Sequence, residues 1–215
     1  MKIVTIPDLH SRKEHLPALA GALNAADLVI LPGDITVGGR QLDAIIDFIR
    51  QHCDHVLAVP GNMDDPATAQ YFTEHGMNLH AQHRIIEGVA FIGLGGALPF
   101  FGNFAYSEDD FTRFIKQATD GLDMTLPQVL ISHQPPHNTI NDLARGKHVG
   151  SKAIRHYIET HQPLLCLTGH IHEGRGIDTI GTTQVVNPGP LWRDGGYVHT
   201  EIVQGKIESL TIRHS

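Results

Sequence analysis

The sequence predicts one α/β domain over residues 1–215, built from two β-sheets with helices on their flanks. Three observations support this prediction. In the first half, short apolar runs that end at Pro, Gly or Asp alternate with segments of helical spacing. From Gly176 onward, apolar runs are separated by glycine-bearing turns, as in antiparallel sheets. No linker, low-complexity stretch or internal repeat interrupts the chain.

The elements of the first half follow from hydrophobic periodicity. Buried strands are predicted at Lys2–Ile6, Leu28–Leu31 and Val56–Val59, where β-branched residues or leucine dominate. Helices are predicted at Glu14–Ala26 and Gln41–Gln51, because leucine or isoleucine recurs there every three or four residues. This order of strands and helices predicts a parallel sheet with crossover helices.

The remaining elements are predicted in the same way. A helix, a hairpin turn and two helix–strand pairs come next: Pro66–Glu74, Glu87-Gly88, Asp109–Ala118 with Val129–Ser132, and Ser151–Thr160 with Leu164–Thr168. The antiparallel strands that close the chain are predicted at Ile177–Ile180, Gln184–Val186, Tyr197–Val203 and Lys206–Ile212.

The composition excludes several classes of function. The net charge is −7 with histidines neutral, and there is no Lys/Arg-rich stretch, so we do not expect nucleic acid as a partner. No segment resembles a signal peptide or is long enough to span a membrane, so we expect a cytoplasmic protein without a membrane partner. The two cysteines, Cys53 and Cys166, share no metal-binding or redox spacing.

Polar side chains follow five successive predicted strands. They lie in Asp8-Leu9-His10, Gly33-Asp34, Gly61-Asn62, Ser132-His133 and Gly169-His170-Ile171-His172. The carboxyl ends of parallel strands are where α/β proteins place ligand sites, so we expect these side chains to converge. Two carboxylates, one amide and four imidazoles suit manganese, iron, zinc, cobalt or nickel better than calcium or magnesium. Each motif alone is weak, since Gly-Asp and Gly-Asn are common in turns, but their joint occurrence indicates a metal site.

In this order, the motifs resemble those of the calcineurin-like metallophosphoesterase superfamily, whose signature runs D-x-H, G-D, G-N-H-[DE], H and G-H-x-H. The resemblance spans residues 1 to about 200. Two further stretches, Gly95–Pro99 and Arg145–Ser151, look like those of the small Icc-related phosphoesterases of prokaryotes. The fold that the resemblance implies is a two-sheet β-sandwich flanked by helices, with four layers in the order α/β/β/α.

The resemblance also implies a site for two divalent metal ions. By its motifs, Asp8, His10 and His172 would hold the first ion. Asn62, His133 and His170 would hold the second ion. Asp34 would bridge both. We expect transition metals, Mn²⁺, Fe²⁺/Fe³⁺, Zn²⁺, Co²⁺ or Ni²⁺, with Mn²⁺ favoured.

Such a cluster suits the hydrolysis of a small phosphoester, as a phosphodiesterase or phosphatase. Two metals about 3.5–4 Å apart acidify a bridging water, so that hydroxide attacks phosphorus, and they clamp the transferring group. Two dications meet only two carboxylates, Asp8 and Asp34, so about two positive charges remain, or one with hydroxide bound. The cluster therefore favours an anionic substrate in an otherwise acidic protein.

Met63 departs from the signature, which usually has His at this position. That His is thought to assist the leaving group, and Met cannot donate a proton. His137 and His148 are candidates for the missing acid, and we expect Asp34, Asn62 and His148 to be the catalytic residues. The departure keeps a second hypothesis open, a non-catalytic metal-binding scaffold of the same fold. A nuclease is disfavoured by the acidity.

Aromatic residues at Pro99–Tyr106 form an irregular, glycine-bearing segment. Their rings could stack on a nucleobase, contact the partner in a homodimer, or pack into the core, and the sequence does not choose among these. The role of the single Trp192 is likewise left open.

Overall fold

The strands and helices follow one another along most of the chain. The computed structural model describes residues 1–99 and 101–215. The strands are β1 Lys2–Thr5, β2 Leu28–Pro32, β3 Val56–Val59, β4 Gln82–Ile86, β5 Val89–Leu94, β6 Gln128–Ser132, β7 Leu143–Ala144, β8 Lys147–His148, β9 Leu165–Thr168, β10 Gly176–Ile180, β11 Thr183–Asn187, β12 Gly196–Val203 and β13 Lys206–His214. The α-helices are α1 Ala20–Asn24, α2 Leu42–Arg50, α3 Pro66–Glu74, α4 Glu108–Ala118, α5 Lys152–His161 and α6 Leu191–Asp194, with 3₁₀ turns at Leu16–Leu19 and Ile140–Asp142.

Two main sheets form over the described residues. The first sheet has the order β13-β12-β1-β2-β3, in which β1, β2 and β3 run parallel. The second sheet has the order β10-β11-β9-β6-β5-β4, in which β11, β9, β6 and β5 run parallel. Strands β7 and β8 form a separate small hairpin. The predicted α/β fold with two sheets is therefore confirmed.

The core lies in three apolar layers, because strand side chains alternate between the two faces of each sheet. Ile3 packs between the two sheets with residues such as Phe91. Its neighbour Val4 faces the opposite way and packs among side chains of α2 and α3, such as Ile45. The outer face of the second sheet packs on α4 and α5. The four layers thus follow the order helices, sheet, sheet, helices.

Some predicted elements differ in the structure. The helix predicted at Glu14–Ala26 is a 3₁₀ turn, Leu16–Leu19, followed by the short helix α1. Pro17 lacks an N–H and is tolerated only in the first turn of a helix, so it prevents a regular helix from starting earlier. The strand predicted at Gln184–Val186 is antiparallel to β10, as expected, but parallel to β9. The hairpin β7–β8 and the short α6 were not predicted.

The topology sends five strand ends to one edge of the sandwich. Strands β1, β2 and β3 of the first sheet are parallel, as are β6 and β9 of the second. The segments that follow them carry the polar motifs. Among the described residues, no helix is both long and apolar enough to cross a membrane.

Candidate metal centre

The seven predicted ligands come from both sheets. Asp8, His10, Asp34 and Asn62 follow strands of the first sheet, and His133, His170 and His172 follow strands of the second. Six of them form two groups in which the candidate ligand atoms all lie within 4.8 Å of one another. The outer group is Asp8, His10 and His172, and the inner group is Asp34, His133 and His170. The sequence prediction placed these residues together, and the structure brings them together.

Asp34 stands between the two groups. One carboxylate oxygen, Oδ2, lies 3.6 Å from His10 Nε2 in the outer group. The other oxygen, Oδ1, lies 3.4 Å from His133 Nε2 in the inner group. Oδ1 also accepts the backbone N–H of Met63 at 2.7 Å. The carboxylate is therefore shared by both groups, which is the arrangement a bridging ligand requires.

The imidazoles of the outer group converge on one point. His10 Nε2 and His172 Nε2 are 3.2 Å apart. Asp8 Oδ1 lies 3.8 Å from the first of these nitrogens and 3.6 Å from the second. The carboxylate of Asp8 is oriented by the backbone N–H of His170, which donates to its Oδ2 at 3.1 Å. Two imidazole nitrogens and a carboxylate oxygen that face each other across this distance leave room for a shared cation.

The inner group is held by a second layer of hydrogen bonds. His133 is fully buried, and its Nδ1 lies 2.9 Å from the carbonyl oxygen of Pro32. A carbonyl only accepts, so Nδ1 carries a proton, and Nε2 is the ring nitrogen that faces the oxygens of Asp34 and Asn62. Metal-binding histidines are usually oriented in this way, by a hydrogen bond from the other ring nitrogen to a carbonyl or carboxylate.

The amide of Asn62 is oriented by a segment that the sequence analysis did not connect with the metal site. Asn62 Nδ2 donates to the carbonyl of Phe101 at 3.0 Å, and its Oδ1 lies 3.1 Å from His133 Nε2. Asn103 closes the contact, because its N–H donates to the Asn62 carbonyl at 2.9 Å and its Nδ2 to the Asp64 carbonyl at 3.0 Å. The amide oxygen of Asn62 is thereby turned towards the inner group.

Asp64 connects two of the loops that carry ligands. It is fully buried and accepts the N–H groups of Gly61 at 2.8 Å and of Thr36 at 2.7 Å. Burial, followed by the nearby charge of Asp34, raises the pKa of Asp64. Asp64 occupies the last position of the G-N-H-[DE] signature, for which the motifs predict no role. The structure gives it one, since it ties the loop after β2 to the loop after β3.

The ligand loops are strained. Asp8, His10, Asp34 and His170 all have a left-handed backbone, with φ between 51° and 65°. Each such non-glycine residue costs of order 1–3 kcal/mol, and such costs cluster at functional sites. Glycine is required where these loops approach each other, because a Cβ on Gly61 would collide with the carboxylate of Asp34. The Gly-Asp and Gly-Asn motifs therefore reflect close packing of the ligand loops.

The ionisable side chains of the site shift one another's pKa. Burial alone would lower the pKa of His133, but the adjacent carboxylate of Asp34 outweighs it and raises that pKa. Burial would raise the pKa of Asp34, but His133 lowers it. Burial lowers the pKa of His170 to about 4 and also lowers that of His10. These two rings are therefore neutral near pH 7, the form in which imidazole binds a metal.

A cavity of about 370 Å³ opens onto both groups. Five of the predicted ligands line it, together with several neighbours: His10, Asp34, Asn62, His170 and His172, then Met63, Phe101, Ala144, Arg145, Ile171 and Glu173. Phe101, a residue of the aromatic segment, borders the cavity and is 53% exposed. Another, Tyr106, instead packs against Phe114 at 4.8 Å between ring centroids. Phe100 lies outside the described residues. Tyr106 thus packs against the core, as one of the three interpretations expects, whereas stacking on a nucleobase and contact in a homodimer stay predictions.

Trp192 also contributes to the site. Its indole lies edge-on to His10 and His172, with ring centroids 6.1 Å and 6.3 Å apart. The backbone N–H of Trp192 is 3.4 Å from the carbonyl of Asp8. The indole supports the two more exposed imidazoles of the outer group.

His148 and His137 are placed apart from the cavity. His148 Nδ1 lies 2.6 Å from Asp142 Oδ1, and His137 Nδ1 lies 3.5 Å from Asp142 Oδ2. Neither ring is among the residues that line the cavity. The structure does not bring the expected proton donor His148 together with the metal ligands, and its catalytic role stays a prediction.

A larger groove, of about 750 Å³, opens at the other end of the strands. It is bordered by Leu28 and Val56, where β2 and β3 begin, and by Arg84 of β4. Neither candidate metal-binding group borders it. We therefore assign the chemistry to the smaller cavity, where the buried carboxylates and imidazoles meet.

Several known proteins are similar to this chain in sequence or in fold. An uncharacterized protein of Methanocaldococcus jannaschii is 37% identical over 199 residues, which cover 88% of each chain. The crystal structure of TT1561 of Thermus thermophilus superimposes with a TM-score of 0.73 at 22% identity, covering 99% of this chain and 98% of that one. A dimetal phosphatase from Danio rerio does so with a TM-score of 0.65 at 14% identity, covering 99% and 95%.

A family model agrees with the geometry of the site. The calcineurin-like phosphoesterase superfamily domain matches residues 1–209. This match indicates a metal-dependent phosphoesterase, in agreement with the resemblance of the motifs and with the two groups of candidate ligands. The chain belongs to the calcineurin-like phosphoesterase superfamily.

Proposed function

We propose that this protein hydrolyses a small phosphoester, with a preference for phosphodiesters, and that it works with two divalent transition-metal ions. The observation that carries the proposal is the position of Asp34, whose two carboxylate oxygens face different groups of ligands at 3.6 Å and 3.4 Å. Asp8, His10 and His172 would hold one ion, and Asn62, His133 and His170 the other, with Asp34 common to both.

The donor atoms fit two such ions. Buried carboxylates that face imidazoles need a compensating charge, and burial without one would be costly. Two carboxylates on two dications leave about two positive charges, which favours an anionic ligand. Mn²⁺ is favoured because carboxylate and amide oxygens accompany the imidazoles. When bound, the ions supply a water of lowered pKa and draw negative charge from the phosphoryl group.

The side chains around the ions determine which substrates can react. Asp34 and Asn62 keep their oxygens aimed at the cavity, because Met63 N–H and the Phe101 carbonyl fix their orientations. Met63 itself lines the cavity but has no proton to donate to a departing alkoxide. Substrates with good leaving groups should therefore react best. A diester also carries one negative charge rather than two, which suits a cluster that would keep about one net positive charge once hydroxide is bound.

A non-catalytic metal-binding scaffold is the competing proposal, and Met63 is the observation that favours it. The enzyme is the better account, because a scaffold has no need for a substrate-sized cavity of about 370 Å³ that opens onto the ligands.

Turnover of bis-(p-nitrophenyl) phosphate with added Mn²⁺ separates the two proposals. We expect measurable hydrolysis by the wild type and loss of most of it in Asp34→Asn, which keeps the shape of the side chain but removes its charge. Metal binding by the wild type without turnover would favour the scaffold. Equal activity in both proteins would place the hydrolysis at a different site or in a contaminant.

A further inference from the structure

Among the residues that the structure describes, one cationic side chain borders the cavity. Arg145 lies at the tip of the β7–β8 hairpin and lines the same cavity as the ligands of both groups. It is exposed, unlike the buried Asp34 and His133 at the floor of the site. In the part of the chain that the structure describes, no carboxylate forms an ion pair with its guanidinium.

The hairpin is fixed at its base by two fully buried polar residues. Asp142 accepts the backbone N–H groups of Thr139 and Gly150, both at 2.9 Å, and it binds His148 Nδ1 at 2.6 Å. Asn141 Nδ2 donates to the carbonyls of Gly174 at 2.9 Å and Gly176 at 3.0 Å. The second set of bonds ties the hairpin to the segment that follows His172. The base of the hairpin is thus held in place by hydrogen bonds to buried side chains.

The tip of the hairpin is held as well. Arg145 and Gly146 have φ values of 50° and 76°, which form a tight two-residue turn of the type that fits the twist of a hairpin. The backbone N–H of Arg145 donates to the carboxylate of Glu173, which directly follows His172. The side chain of Arg145 therefore starts from a fixed point at the mouth of the cavity.

We propose that Arg145 binds a second anionic group of the substrate, separate from the phosphoryl group that is transferred. This inference rests on the proposed function and narrows its substrate class to phosphoesters that carry a further phosphate or carboxylate. The reacting phosphoryl group must reach the buried ligands at the floor, where the ions would neutralise it. A guanidinium at the mouth meets the more distant part of the substrate, and its planar fork matches phosphate and carboxylate oxygens.

Ligands that cannot be hydrolysed test this inference without relying on catalysis. Phenylphosphonate offers one anionic group, whereas 3- and 4-carboxyphenylphosphonate and 1,4-phenylenediphosphonate offer two on a rigid ring. Their dissociation constants would be measured by calorimetry on the Mn²⁺-loaded wild type, Arg145→Gln and Lys147→Gln. Lys147→Gln is the matched control, because it removes the same charge from the same hairpin but does not line the cavity. Comparison of the carboxyphenylphosphonates with the diphosphonate shows whether Arg145 prefers a carboxylate or a phosphate-like group.

We expect Arg145→Gln to weaken at least one doubly anionic ligand by about tenfold or more, as the loss of a charge-assisted hydrogen bond does, and phenylphosphonate by less than about threefold. Lys147→Gln should change neither. An equal loss for every ligand would show that Arg145 contacts the transferred group, and no selective loss, or no binding by the wild type, would overturn the inference. If Arg145→Gln selectively weakened the doubly anionic ligands but the wild type hydrolysed no phosphoester, the role of Arg145 in anion binding would be supported and the proposed function refuted.

Discussion

The two groups of candidate ligands differ in how firmly the chain holds them. In the inner group, the side chains of His133 and Asp34 are 0% and 3% exposed, and His170 is half-buried. In the outer group, Asp8 is 1% exposed, but His10 and His172 are 16% and 27% exposed. His133 of the inner group is oriented by the carbonyl of Pro32. In the outer group, His10 and His172 contact each other and Trp192.

This difference indicates that the two groups of ligands have different roles in the site. Ligands that are buried and already oriented lose little freedom when an ion binds, so the inner ion should bind more tightly and exchange more slowly. Ligands that are partly exposed leave their ion open to water and substrate. We infer that the inner group anchors the cluster and that the outer group meets the substrate.

The largest expected effect comes from the residue that both groups share. Asp34→Asn should remove most of both ions and lower kcat/KM by more than about a hundredfold, beyond the 10- to 100-fold typical of outer-shell partners. Asp8→Asn should mainly weaken the outer ion, because Asp8 serves a single group. Metal content and rates measured side by side decide this. The reverse order of damage would show that the bridge is misassigned.

The next prediction compares the two groups directly. Titration of the metal-free wild type with Mn²⁺ should show a tight step followed by a weaker step. His172→Ala should keep the tight step and lose the weaker one. His133→Ala should lose the tight step, and it should also lower stability, because it leaves the buried carboxylate of Asp34 without its partner. A tight step that survives in His133→Ala but disappears in His172→Ala would invert the comparison.

The smallest effect is expected at Met63, which lines the cavity onto which both groups open. A general acid contributes about 10²- to 10⁴-fold and matters most for basic leaving groups. In the wild type, the rate should therefore fall steeply as the pKa of the leaving group rises. Met63→His should raise the rate by about tenfold for a phenyl ester but little for a p-nitrophenyl ester.

The same leaving-group series, measured on two variants, shows whether another side chain acts as the general acid. A flat dependence on leaving-group pKa in the wild type, without a selective gain in Met63→His, would mean that another side chain already donates the proton. His148→Gln would then restore the steep dependence if His148 were that donor. If His148 only supports the hairpin through Asp142, this variant would leave the slope unchanged.

The sequence predicted the parts of the site that depend on topology. Parallel strands end at the same edge of a sheet, so polar motifs after β1, β2, β3, β6 and β9 had to meet, and each motif is only two to four residues long. The fold class followed from periodicity for the same reason. Both rest on local patterns that repeat along the chain.

The sequence could not predict contacts that depend on side-chain direction between distant segments. The Phe101 carbonyl that orients Asn62 lies 39 residues away, and no local pattern announces it. Strands of two residues, as in the hairpin that carries Arg145, are too short to show periodicity. The bridging position of Asp34 was expected only from the family resemblance, and no local pattern predicts that its two oxygens face different groups.

The central claim, that this edge of the sandwich holds two metal ions, is tested most directly by metal content. The purified protein would be loaded with Mn²⁺, freed of unbound ions by gel filtration, and subjected to elemental analysis. We predict close to two equivalents per chain in the wild type and much less than one in Asp34→Asn. One equivalent or less in the wild type, or an equal content in both proteins, would contradict the account.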